Sequence, residues 1–267
     1  MNEKRPIGLF DSGVGGLTVS RHIFRYLPEE STIYFGDNAR VPYGSRSREE
    51  LMTFAAQILT FLLSRGAKYI IFACNTNSSL TLPAMRRRFG VPMIGLIEPG
   101  AAEAARVTRR GRVGVIATEA TVKSGAYQAA LKAAAPGLEV FAQAAPRLVP
   151  LVEGGRFGTR ESLEAVREYV EPLKKAGIDT LILGCTHYPF LWEEFRTALG
   201  PEVVLVDPAE ATVKAAREEL ARLGLLGGPG GPVEHRYYVS GDPLPLVAAA
   251  RRFLGLDGVR VEKVTLD

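Results

Sequence analysis

No stretch of the sequence approaches the ~18–20 consecutive apolar residues that a membrane-spanning helix requires, so a membrane partner is not expected. The start is equally short of apolar length. Met1-Asn2-Glu3-Lys4-Arg5-Pro6 leads into four apolar-type residues before Asp11, too few for the core of a secretory signal, and a cytoplasmic location is expected. Soft ligands are scarce. The 267 residues hold two cysteines, Cys74 and Cys185, and three histidines, His22, His187 and His235. A structural zinc site wants four such ligands at close spacing, so no metal is expected, and a disulfide framework belongs to smaller secreted chains. Charge of one sign is also missing, with 33 basic residues against 29 acidic ones. The two arginine clusters, Arg86-Arg87-Arg88 and Arg109-Arg110-Gly111-Arg112, fall near predicted helix ends, where cations suit the helix dipole. Without interleaved aromatics they predict a solvated surface and no nucleic-acid partner.

What is present is an ordinary globular balance, 46% apolar and 23% charged, with 28 glycines and 17 prolines. That suffices for one large core or two ordinary ones. Short apolar runs at residues 7–10, 32–35, 68–73 and 91–95 read as strands separated by helical stretches. Ser47-Arg48-Glu49-Glu50 is a capping box opening a helix that runs to Arg65, and Gly66 ends it. The theme recurs in strands at 112–117, 138–141, 180–184 and 203–206, with a helix over 160–175. Apolar runs separated by helices predict parallel strands covered on both faces, an α/β fold.

The two halves also resemble each other. The segment at residues 68–76 matches that at 179–187 position by position, each an apolar strand ending small-Cys-polar-polar. Each is followed by a helix and a strand closing on an acid–proline pair, Glu98-Pro99 and Asp207-Pro208. Upstream, the segment 7–12 is echoed by 113–118. Duplication predicts two pseudo-symmetric parallel-sheet domains with the active site in the cleft between them. Ligand sites lie beyond the carboxyl ends of parallel strands, so Cys74, Cys185 and the turns at Asp11 and Thr118 should all face that cleft. The last 60 or so residues contain a long helix, a Gly-Pro-rich turn at 227–232 and a further strand–helix–strand pattern. Which half they join is left open.

Two thiols facing one cleft suit proton transfer at opposite faces of a carbon. A thiolate is a good base, and its reference pKa of about 8.5 lets both forms exist near neutrality. The alternatives are a dithiol redox couple, a single nucleophilic cysteine with His187 as its base, and two buried bystanders. Asp11-Ser12-Gly13-Val14-Gly15-Gly16 opens a helix after a strand, as a dinucleotide fingerprint does. However, Thr18 stands where that pattern wants a third small residue, and Asp11 would repel a pyrophosphate. The better reading is a turn that places Asp11 and Ser12 against a small cationic or zwitterionic ligand. The loop at 35–44 offers Tyr43 and the Gly44 backbone as donors, and Glu153 is a candidate acid on the second side. His22, inside a helix, and His235, at the start of a strand, read as structural.

Four motifs in order, Asp11-Ser12-Gly13-x-Gly15-Gly16, Pro42-Tyr43-Gly44, Ala73-Cys74-Asn75-Thr76 and Gly184-Cys185-Thr186-His187-Tyr188-Pro189, resemble the bacterial glutamate racemases of the aspartate/glutamate racemase superfamily, over residues 7–208. The resemblance implies interconversion of L- and D-glutamate without a cofactor, supplying D-glutamate for peptidoglycan. It implies Cys74 and Cys185 as the proton donors and acceptors, assisted by Asp11 on one side and by Glu153 and His187 on the other. Asp11, Ser12, Tyr43, Gly44, Asn75, Thr76, Thr186 and His187 would hold the substrate. It also implies a homodimer, and a first domain of residues 1–97 plus 208–267 against a second of 98–207. Aspartate racemase is the nearest alternative within the superfamily. A two-domain small-ligand binding protein is the alternative from a different class.

Overall fold

The computed structural model describes residues 4–228 and 230–266; Pro229, in the Gly-Pro-rich turn, lies outside the described residues, as do residues 1–3 and 267. Among the described residues, ten strands form two parallel sheets. The first comprises β1 (Ile7–Asp11), β2 (Thr32–Gly36), β3 (Tyr69–Phe72) and β4 (Met93–Ile94). The second comprises β5 (Arg112–Ala117), β6 (Glu139–Ala144), β7 (Thr180–Gly184) and β8 (Val204–Val206). The remaining strands, β9 (His235–Val239) and β10 (Val261–Lys263), extend the first sheet. The orders are β10-β9-β2-β1-β3-β4 and β6-β5-β7-β8.

The duplication read from the sequence is present in the pairing. Each half repeats one order, with β1, β2, β3 and β4 answered by β5, β6, β7 and β8. The register repeats too, since Gly8 lies beside Ile70 and its counterpart Gly114 beside Leu181. Every residue of β1, β2, β3 and β7 is buried. Alternation along β1 sends Ile7 and Leu9 to one core and Phe10 to another, as the two-residue period of a strand requires. Helices Leu17–Tyr26 and Pro208–Arg222 cover the first of those faces, and Arg48–Ser64 covers the second. The Ser47 capping box forms as expected, and Gly66 takes φ +85° just beyond the helix.

The question left open by the sequence is answered by β9, which pairs along its whole length with β2. The C-terminal segment therefore completes the first sheet, and helix Pro208–Arg222 seals its face through Ala209, Val213, Ala216 and Leu220. Strand lengths differ modestly from expectation. The run at 91–95 contracts to Met93–Ile94 at the sheet edge, where only β3 pairs with it, whereas 138–141 lengthens to Glu139–Ala144 because β5 pairs with all six residues. β4 and β5 belong to different sheets, as do β8 and β9, so the chain crosses between the sheets twice. Helices Ile97–Val107 and Pro208–Arg222 meet there, because a Cβ on Gly100 would stand 2.8 Å from Pro208 Cβ. Among the described residues no helix is long and apolar enough to cross a membrane.

Candidate active site

The carboxyl ends of β1, β3, β5 and β7 converge on one cavity of about 90 Å³, a size for a small ligand rather than a dinucleotide. Asp11, Ser12, Tyr43, Gly44, Cys74, Asn75 and Thr76 line it from the first half, and Thr118, Cys185, Thr186 and His187 from the second. Both cysteines are free and buried. Glu153 stands behind this wall, reaching it through His187.

The glycine turn after β1 serves the contact between the halves. A Cβ on Gly13 would collide with the Glu153 carboxylate, and one on Gly15 would lie 2.6 Å from both His187 Nδ1 and Thr186 Oγ1. Gly13 and Gly15 are bare because side chains of the second half occupy the space, and Gly16 because Asp11 and Tyr34 do, which accounts for the turn's partial likeness to a phosphate-binding loop. Several bonds cross the same seam. Thr186 donates its hydroxyl to Asp11 Oδ1 at 3.0 Å, the Val14 N–H donates to Glu153 Oε1 at 3.1 Å, and the Thr76 and Thr118 hydroxyls meet at 3.0 Å.

The surroundings of the two thiols differ, although the strands that carry them are duplicates. Cys185 Sγ lies 3.7 Å from His187 Nδ1, and His187 Nε2 lies 2.6 Å from Glu153 Oε1. Burial would strip the ring of its proton, but hydrogen bonds to Cys185 and Glu153, with the charges of both, hold His187 well above its ordinary value. Burial pushes Glu153 up, yet its bond to His187 and the imidazolium charge win and hold it below the usual carboxylate range. The counterpart of His187 beside Cys74 is Thr76, which does not titrate. Instead, burial, the nearby Asp11 carboxylate and Cys185 push the Cys74 thiol far up. Asp11 is itself raised by burial, against the pull of His187 and a 3.0 Å bond from the Gly13 N–H. One side of the cavity thus carries a protonated thiol and the other a sulfur against an imidazolium. Such a pair can give a proton at one face and take one at the other.

Supporting residues escaped the sequence reading. Tyr43 donates its hydroxyl to Asp37, which is fully buried with Arg40 3.6 Å away, so that hydrogen points away from the cavity. Tyr34 donates to the Gly13 carbonyl at 2.7 Å, and Tyr127 to Asn75 Oδ1 at 2.6 Å. Asp37 directly follows β2, and no sequence signal singles out Asp37, Tyr34 or Tyr127. His22 sits in helix Leu17–Tyr26, and His235 opens β9 with its ring 2.9 Å from Thr32 Oγ1, both away from the cavity.

The sequence pattern that defines Asp/Glu/hydantoin racemases matches residues 7–216. The chain belongs to the Asp/Glu/hydantoin racemase family. The family is one of isomerases, and the resemblance carried by the four motifs is borne out. A glutamate racemase of Desulforudis audaxviator (strain MP104C) is 57% identical over 269 residues, covering 98% of each chain. Among solved structures, glutamate racemase isoform RacE1 of Bacillus anthracis superimposes with a TM-score of 0.95 at 39% identity, covering 99% of this chain and 98% of that one. The glutamate racemase of Francisella tularensis in complex with D-glutamate gives 0.91 at 36% identity, covering 99% of each. Those superpositions extend over both parallel sheets and the helices that cover them.

Proposed function

We propose that this chain interconverts L- and D-glutamate without a cofactor, Cys74 and Cys185 acting as the two bases. A thiolate takes the α-hydrogen from one face, and the opposite thiol delivers its hydrogen to the other face of the resulting carbanion. The first sulfur ends as thiol and the second as thiolate, so atoms and charge balance. The observation that carries the reading is the convergence of both thiols on one cavity, each with its own titratable companion, Asp11 or the His187–Glu153 pair. The D-glutamate complex of a relative that superimposes over nearly the whole chain supports glutamate over aspartate.

An amino-acid α-hydrogen is a very weak acid, so charge growing on the carboxylate needs donors in a site closed to water. Ser12, Asn75, Thr76 and Thr186 supply uncharged groups for this, with Tyr43 and Gly44 closing the rim and Asp11 and His187 meeting the ammonium and carboxylate ends. Closure of residues 98–207 on residues 1–97 plus 208–267 completes the enclosure. The enzyme works in the cytoplasm as a homodimer, and its product feeds peptidoglycan synthesis.

The test is incubation of the purified protein with L-glutamate in deuterated water, without added cofactor, following optical rotation and α-deuterium together. Loss of rotation with deuterium at Cα is expected, and L-aspartate is expected to give neither signal. Tight glutamate binding without either signal would favour a binding protein.

A further inference from the structure

Asn75 follows Cys74 and lines the cavity, yet it is tied to the opposite half of the molecule. Its Oδ1 accepts the Tyr127 hydroxyl at 2.6 Å, while its Nδ2 is buried and has no hydrogen-bond partner among the described residues. A primary amide presents an oxygen or an NH₂ group from almost the same shape, so its chemistry toward a ligand depends on which end is held elsewhere. Here the oxygen is held. We infer that Tyr127 is a positioning residue that orients the Asn75 amide, turning its N–H groups to the cavity as donors for a carboxylate of the substrate. The inference rests on the glutamate reading above and deepens it.

Tyr127 is built for this task. It lies in helix Ala126–Ala134, 1% exposed, with its ring in the core against Leu131 and Ile182. The ring also rests on the strand end that carries Cys185, because a Cβ on Gly184 would stand 3.1 Å from Tyr127 Cε2. The phenol is therefore fixed by the second half while its hydroxyl reaches the residue after Cys74. A flipped amide would turn its carbonyl toward the incoming carboxylate, oxygen against oxygen, and leave the phenol hydrogen without its acceptor. The pairing favours carboxylate ligands by excluding that orientation.

The experiment compares steady-state glutamate racemisation by wild type, Tyr127→Phe, Asn75→Ala and the double variant. A donor lost equally from ground and transition states raises KM and spares kcat. Tyr127→Phe is therefore expected to raise KM by about tenfold with kcat within about threefold, the scale of one hydrogen bond. In the Asn75→Ala background the same change is expected to alter KM by less than about twofold, because its route of action is gone. A merely structural role would lower the active fraction, hence kcat, equally in both backgrounds. In wild type, the Asn75 side-chain N–H resonances are expected to shift on adding D-glutamate; unmoved resonances would overturn the inference even if the variants fold poorly. Wild type without glutamate racemisation would overturn the reading of the site and this inference with it. Active wild type with an unchanged KM in Tyr127→Phe, or an equal KM rise in the Asn75→Ala background, would overturn the role of Tyr127 alone.

Discussion

Gly15 lies directly beneath His187: a Cβ on Gly15 would stand 2.6 Å from His187 Nδ1. The imidazole that touches Cys185 is thus seated on bare backbone of the other half. Gly15→Ala must push this ring or Thr186 aside, and a misplacement near 1 Å at a reacting group costs roughly a hundredfold in rate. We expect kcat/KM to fall by about that factor while the protein stays folded, with a stability loss of about 1–3 kcal/mol. Gly90→Ala is the control, since a Cβ there meets nothing within 4 Å. Equal activity in the two variants would dissociate the glycine turn from the chemistry.

Each face of the substrate carbon needs its own base in the proposed reaction. Cys74→Ser and Cys185→Ser should therefore each lower racemisation in both directions by roughly a hundredfold to ten-thousandfold, the usual worth of a positioned proton-transfer group. Circular dichroism of L- and D-glutamate solutions reads this directly. Near-wild-type rates in either variant would make that thiol a bystander.

The resting Cys74 is a thiol, because burial, Asp11 and Cys185 all push it up. In a Cys185→Ala background, alkylation of Cys74 by iodoacetamide at pH 8 should run at least about tenfold slower than that of free cysteine, since only the thiolate reacts. Asp11→Asn removes a neighbouring negative charge and should speed the reaction. Peptide mass spectrometry gives both rates, and an Asp11→Asn rate no faster than its parent would remove Asp11 from the account of this thiol.

The His187–Glu153 pair makes stability depend on pH with a defined sign. His187 is raised above its ordinary 6.5, so its contribution is fully present below pH 6.5 and is lost as pH rises through the folded value. Glu153 is lowered from 4.5, so its contribution is fully present above pH 4.5 and is lost as pH falls through the folded value. Glu153→Gln should therefore lower Tm most between pH 4.5 and 6.5, with the gap to wild type narrowing on either side. A gap that widened as pH rose above 6.5 would contradict the charge assignment.

Local signals carried much of the architecture. The capping box at Ser47 and Glu50 and the helix Arg160–Lys175 stand where the sequence places them, because cap chemistry and amphipathic spacing are properties of the segment itself. The duplication carried more, since two Cys-bearing strand ends in equivalent positions have to face one another across the cleft. The home of the C-terminal segment was legible only through the family resemblance and in no local signal, because it depends on β9 meeting β2, a pairing across some 200 residues. Tyr127 was hidden for a similar reason. Its helix reads as ordinary amphipathic sequence, and only the folded molecule brings its hydroxyl to Asn75.

The repeat offers a last test, in packing rather than chemistry. Gly8 and Gly114 occupy equivalent places, and a Cβ on Gly8 would lie 2.9 Å from Ile70 Cδ1 and 3.1 Å from Ala67 Cβ. At Gly114 the obstacles are Ile178 Cδ1 at 2.8 Å and Leu181 Cδ1 at 3.0 Å. Alanine at either site overpacks a filled core, so each should destabilise by about 1–3 kcal/mol in urea unfolding. The costs should differ, because side-chain tips at Gly114 can rotate away whereas the Ala67 methyl near Gly8 is fixed to the backbone. Gly8→Ala should be the worse of the two. Ile178→Val deletes the methyl nearest Gly114, so in the Gly114→Ala background it should recover stability that it loses in wild type, a coupling of opposite sign that the double-mutant cycle isolates. Simple additivity of Gly114→Ala and Ile178→Val would mean that the strain is relieved elsewhere, by movement of β5 against β7.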